Sequence, residues 1–98
     1  MTYSYILHPE AQKEYEESIE WYLSKSVRTA SRFVKAIETA FSLICSDPYI
    51  WSSKYKNYRE YHLKKFPFTI IYRIDSPKEL VVIIAVYHQK RIPEKKYR

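Results

Sequence analysis

The hydrophobic period of this chain changes near its middle, and that switch constrains the fold more than any other feature. From Glu10 to Ser24 the apolar residues Ala11, Tyr15, Ile19, Tyr22 and Leu23 recur at the three- and four-residue spacing of one helical face. Glu14, Glu16, Glu17 and Glu20 fall largely off that stripe, and acids near the N-terminal end suit the helix dipole. Ser24-Lys25-Ser26 then supplies turn and N-cap chemistry. A second stripe, Ala30, Phe33, Val34, Ile37, Ala40, Phe41 and Ile44, predicts a helix from Val27 to Cys45 that stops before Pro48. So short a link makes an antiparallel hairpin the simplest packing, and its apolar faces need a sheet to cover.

Beyond residue 57 the period becomes two. Tyr58 to Lys64 is β-prone, and Phe68 to Asp75 alternates, with Phe68, Ile70, Tyr72 and Ile74 on one face. Leu80 to Tyr87 is almost wholly apolar, which predicts a central strand buried on both faces. Phe66-Pro67 and Asp75-Ser76-Pro77-Lys78 are links short enough for antiparallel neighbours only. Tyr3 to Leu7, ended by His8-Pro9-Glu10, adds a fourth strand, whereas Asp47 to Lys56 lacks usable periodicity and reads as a long loop. The expected fold is α+β: an N-terminal short strand and an antiparallel two-helix hairpin packed on a small, mainly antiparallel sheet of three to four strands. Its 98 residues suffice for one domain with one core.

Composition excludes several chemistries. The chain has no glycine, so neither the P-loop nor the dinucleotide fingerprint can be built, and no cofactor is expected. Three histidines and one cysteine lack the paired spacing of a zinc site, so no metal is expected either. Cys45 falls on the second apolar stripe and reads as an inert core thiol. No apolar run approaches the ~20 residues that span a bilayer, and the first residues lack the plan of a signal peptide, which predicts a cytoplasmic protein with no membrane partner. The net charge of +6 is unevenly placed. Residues 1–49 hold five Lys/Arg against seven Asp/Glu, while residues 50–98 hold twelve against four. A positive field of that kind favours encounter with nucleic acid, acidic proteins or anionic surfaces without choosing among them.

The candidate functional groups are therefore the cations and tyrosines of the second half. Arg59, His62, Lys64, Lys65 and Arg73 fall on or beside the expected sheet, and His88, Lys90, Arg91, Lys95, Lys96 and Arg98 follow the last strand. Tyr55, Tyr58, Tyr61, Tyr87 and Tyr97 are interleaved with them. Cations beside planar rings fit single-stranded nucleic acid, as in a non-catalytic RNA-binding or regulatory module, and a metal-free ribonuclease draws on the same groups. His88 is the best titratable candidate for an acid or base. Arg73 should face away from the helices, either on an open functional face or paired with Asp75 or Glu79. Lys64 and Lys65 serve equally as edge-protecting charge, and Glu60 as a catalytic base or as the strand partner of a nearby lysine.

Phe66-Pro67-Phe68-Thr69-Ile70-Ile71-Tyr72-Arg73, a hydrophobic strand, and then Val86-Tyr87-His88-Gln89-Lys90-Arg91-Ile92-Pro93 together resemble the RelE/ParE toxin superfamily of type II toxin-antitoxin systems. Glu17-Ser18-Ile19-Glu20-Trp21-Tyr22 resembles that family's first helix. The resemblance spans nearly the whole chain in the same element order, and its wording is nearest the ParE-like and plasmid-stabilisation group. It implies a cognate protein antitoxin, a toxin-antitoxin hetero-oligomer, and one of two targets: DNA gyrase, or messenger RNA on the ribosome. His88, Arg91 and Arg73 are the catalytic candidates, and Arg59, Lys64, Lys65, Lys90 and Tyr97 the candidates for binding the target or nucleic acid; of these, His88 resembles the histidine that some RNA-cleaving members carry near the C-terminus and Tyr97 a terminal tyrosine. RNA-cleaving members usually carry a catalytic arginine where this chain has Thr69, which tilts the expectation toward inhibition by binding.

Overall fold

A computed structural model describes residues 2–91 and 96–97. Strand β1 (Ser4–Leu7) leads into helix α1 (Pro9–Leu23) and helix α2 (Val27–Ser46), followed by β2 (Ser53–Tyr55), β3 (Tyr58–His62), β4 (Phe68–Asp75) and β5 (Leu80–His88). Local chemistry sets the helix starts. His8 Nδ1 accepts the Glu10 N–H ahead of α1, with Pro9 at the first helical position, and Ser26 Oγ accepts the Thr29 N–H ahead of α2. The helices run antiparallel, because rings near the end of α1 meet rings near the start of α2 (Tyr22 with Phe33) and the middle of α1 meets the later part of α2 (Tyr15 with Phe41).

The sheet has five strands in the order β1-β5-β4-β3-β2. β1 lies parallel to β5, and the other pairings are antiparallel. The extra strand is β2, a three-residue exposed edge inside the segment expected to be a loop. It pairs with β3 across a tight turn in which Lys56 takes positive φ (50°), and Glu79 does the same before β5 (49°). Both are left-handed positions that glycine occupies without steric cost, and this chain has none to place there.

β4 alternates as its sequence predicts, but β5 does not. Ile71 pairs with Ala85 and Tyr72 with Ile83, leaving Ile84 as an extra residue, a β-bulge. Ile84 and Ala85 therefore both join the face opposite the helices, with Ile71, Val82 and Tyr87, while Val81, Ile83 and Val86 pack under the helices. Without the bulge Val86 and His88 would share the face of Val82 and Ile84. The expected burial of the last strand on both faces holds along its length.

The main core gathers Phe33, Ile37, Phe41 and Ile44 of α2 with Phe68, Ile70 and Tyr72 of β4. α1 contributes less: Ala11 alone is fully buried, Tyr15 and Ile19 are partly so, and Leu23 is 48% exposed although it shares the stripe. Cys45 is buried, and that burial pushes its thiol pKa up, as befits an unreactive thiol. Tyr72 is fully buried, and its hydroxyl donates to the Pro48 carbonyl at 2.6 Å. Burial drives the Tyr72 pKa to about 12, against a lowering by nearby Arg59.

A phenol whose folded pKa lies above its unfolded value gives stability that is complete below pH ~10 and is lost as pH rises toward the folded value. Tyr72→Phe is thus expected to lower stability at pH 7 by about 1 kcal/mol through the lost hydrogen bond. It should also flatten the loss of stability between pH 10 and 12. Urea titrations of both proteins across that range would measure it, and parallel alkaline slopes would count against the assignment.

Candidate target-binding cleft between α1 and the end of β5

The cleft arises where β5 loses its neighbour. Pairing with β1 ends at Leu7 opposite Ile83, the His8 N–H closes the ladder onto the Ile83 carbonyl at 2.8 Å, and Pro9 turns the chain into α1. β5 then continues for five residues with a helix beside it in place of a strand. The Val86 N–H is met by Glu14 Oε1 of α1 at 3.0 Å, so a carboxylate takes the role of the missing ladder acceptor. The bulge directs Val86 and His88 toward this helix, and the His88 ring stands edge-on to Phe68, with centroids 5.3 Å apart.

Hydrogen bonds fix the turn after β5. The Gln89 N–H donates to the Pro67 carbonyl (2.7 Å), the Lys90 N–H to His88 Nδ1 (3.1 Å) and the Arg91 N–H to the His88 carbonyl (2.8 Å). Because Nδ1 accepts, the proton of a neutral His88 sits on Nε2. The resulting cavity is about 380 Å³. Trp21, Tyr22, Phe68 and Val86 supply apolar surface, His88, Lys90 and Arg91 form a basic wall, and Glu14 and Glu17 stand on the helix side.

The remaining candidates go elsewhere. Arg73 is exposed and projects from the sheet face opposite the helices. It pairs across from Val82 while Phe68 pairs across from His88, so five residues of strand, roughly 17 Å, separate Arg73 from His88 in addition to the change of face. Thr69, at the position of the family arginine, is 1% exposed and lies 2.7 Å from His62 Nδ1 through its hydroxyl. Arg59 is committed to the 47–52 segment: its Nη1 donates to the Tyr49 carbonyl (3.2 Å) and the Trp51 carbonyl (2.5 Å), and its guanidinium sits over the Tyr49 ring.

Lys64 and Lys65 line a separate groove of about 810 Å³ together with Arg32 and Lys35 of α2. Neither ion pair among the described residues involves these four cations. Tyr97 lies on the open sheet face with its hydroxyl on Glu60, whose side chain is only 8% exposed, a buried anchor where the sequence pointed to an exposed strand partner or base. Ile92 and Pro93 of the second family motif, and the candidate cations Lys95 and Arg98, lie outside the described residues.

Sequence reasoning thus placed the basic wall of the cleft but missed its helical wall. Glu17, Ser18, Trp21 and Tyr22 carried a signal, as part of a family motif. Glu14 carried none, since its partner Val86 is 72 residues away.

The arrangement of one strand, two helices and a mixed sheet is the RelE-like fold. Solved structures that share it include two toxins of this kind. One is the toxin-antitoxin complex RelBE2 of Mycobacterium tuberculosis, with a TM-score of 0.62, 18% identity, and coverage of 90% of this chain and 99% of that one. The other is an arginine-substituted mutant of the E. coli toxin RelE in the free state, with a TM-score of 0.61, 18% identity, and coverage of 99% and 92%. No curated protein sequence matches significantly. The model of the ParE toxin of type II toxin-antitoxin systems, parDE, matches residues 5–93, and the chain belongs to that family. It is a type II toxin by family. Among the described residues no helix is long and apolar enough to cross a membrane, and no group of three or more His, Cys, Asp or Glu could hold a metal ion.

Proposed function

We propose that this ParE-family toxin stops growth by binding a protein target of the DNA gyrase type in the cytoplasm, and that a small cognate antitoxin neutralises it in a toxin-antitoxin complex. The observation that carries this reading is the acidic side of the cleft: Glu14 and Glu17 line it together with His88, Lys90 and Arg91, while Arg73, the remaining catalytic candidate, lies on the opposite face of the sheet. Metal-free cleavage of RNA needs base, acid and phosphate-stabilising cation around one phosphorus. Binding has no such demand. Glu14 and Glu17 repel phosphate, whereas a basic wall facing an acidic one over aromatic surface suits a protein segment carrying both charges.

The test is to induce the chain in cells, with and without co-expression of any small protein found in the adjacent reading frame, while mapping transcript ends and assaying supercoiling by purified gyrase. Blocked supercoiling with intact transcripts, and growth restored by co-expression, is the expected result. Codon-phased cleavage that disappears in His88→Ala would overturn the reading in favour of a ribosome-dependent endoribonuclease.

A further inference from the structure

The His62 imidazole and the Lys96 ammonium both approach one carboxylate, Glu60. Glu60 pairs across from Ile71 and His62 across from Thr69, which puts both on the open face of the sheet. His62 Nε2 lies 3.8 Å from Glu60 Oε1, and the Lys96 ammonium lies 3.7 Å from Oε2. The Tyr97 hydroxyl donates to the same Oε2. Around this point the rings form a slot. Tyr97 stacks on Tyr55 with centroids 5.0 Å apart and leans on Tyr58 at 5.4 Å, while the Lys96 ammonium sits 5.8 Å above Tyr87 and 5.0 Å above Tyr97.

With Lys96 and Tyr97 in place the Glu60 side chain is only 8% exposed, and from the sheet itself His62, within hydrogen-bond distance of Thr69, stands beside it. Burial works against the Lys96 charge, but Tyr87 and Glu60 more than offset it, so the ammonium is held above its ordinary pKa. Burial first, then the Glu60 hydrogen bond and charge, raise the Tyr97 phenol. Each group favours the state in which the three stay together.

We propose that the Glu60 slot is a recognition site for a paired ammonium and phenol, and that its occupant is the chain's own Lys96-Tyr97, two residues latched onto the sheet face opposite the helices. The latch covers the strip that runs from Glu60 to Tyr87, so it withholds Tyr97 and Lys96 from any partner until the slot is vacated. Tethering makes the pair a strong competitor, because a linked group acts at an effective concentration near the millimolar range. This inference holds whether the toxin acts on gyrase or on RNA, since it concerns the other face of the sheet from the cleft.

Lysine acylation of the full-length protein, followed residue by residue by mass spectrometry, tests it. Lys96 should react at least about tenfold more slowly than exposed Lys90, the ratio for a latch closed nine-tenths of the time or more. Glu60→Gln should bring Lys96 to the Lys90 rate while leaving Lys65 unchanged. Tyr97→Phe, which removes only one hydroxyl and spares the sheet, should speed Lys96 severalfold with the circular dichroism unaltered. Equal rates at Lys96 and Lys90 in the unaltered protein would overturn the proposal, as would protection that survives both substitutions.

Discussion

Phe33→Ala is expected to cost about 3–5 kcal/mol, the usual range for truncating a fully buried aromatic ring. A domain of this size commonly has only about 5–15 kcal/mol in total. Phe33 is fully buried, and its ring is where the two helices and the sheet meet: Tyr15 and Tyr22 approach it from α1, Phe66 from the β3–β4 link and Phe68 from β4. Removing it leaves four neighbours facing a void that a rigid sheet cannot close. Leu23→Ala, on the same predicted stripe but half exposed, should change stability by no more than about 0.5 kcal/mol. Urea unfolding followed by far-ultraviolet circular dichroism would measure both. A Phe33→Ala midpoint close to that of Leu23→Ala would refute this account of the core.

Those two residues also show how far the sequence could be read. The helical period identifies a face, and for α2 the face is buried because that helix lies across the sheet. α1 carries the same period, yet sits near the edge of the sheet with only Ala11 fully covered, and nothing local to its sequence encodes that position. β4 was legible down to which residues face the helices, because alternation survives where only one face is strongly apolar. β5 hid its bulge for the opposite reason: a strand buried on both sides has no polar position to mark a slip, so the face of His88 could not be deduced. β2 escaped notice because its three residues are all exposed. Among the candidate site residues, His88, Lys90 and Arg91 came together because they are neighbours in sequence. Arg59 and Arg73 were separated from them by contacts that only the folded chain defines.

Glu14 gives the second large effect, and it couples the fold to the cleft. Its Oε1 accepts the N–H of Val86 where β5 has run out of strand partner, and it lines the same cavity as His88 and Arg91. Glu14→Ala removes the acceptor and leaves a backbone donor in a partly buried edge, which should cost about 1–3 kcal/mol. The freed end of β5 should then loosen, taking the turn that carries Lys90 and Arg91 with it. Glu14→Gln keeps an acceptor of the same length but removes the charge, so its stability loss should stay below about 1.5 kcal/mol. The two substitutions therefore separate two roles. If the Val86 bond is what matters, Ala should abolish growth inhibition and speed amide exchange at Val86, while Gln should do neither. If the acidic wall itself contacts the basic part of a protein target, Gln should also weaken inhibition although the exchange rate at Val86 stays slow. Slow exchange at Val86 in the Ala variant would show that this hydrogen bond does not hold the strand, and the cleft would need another explanation for its shape.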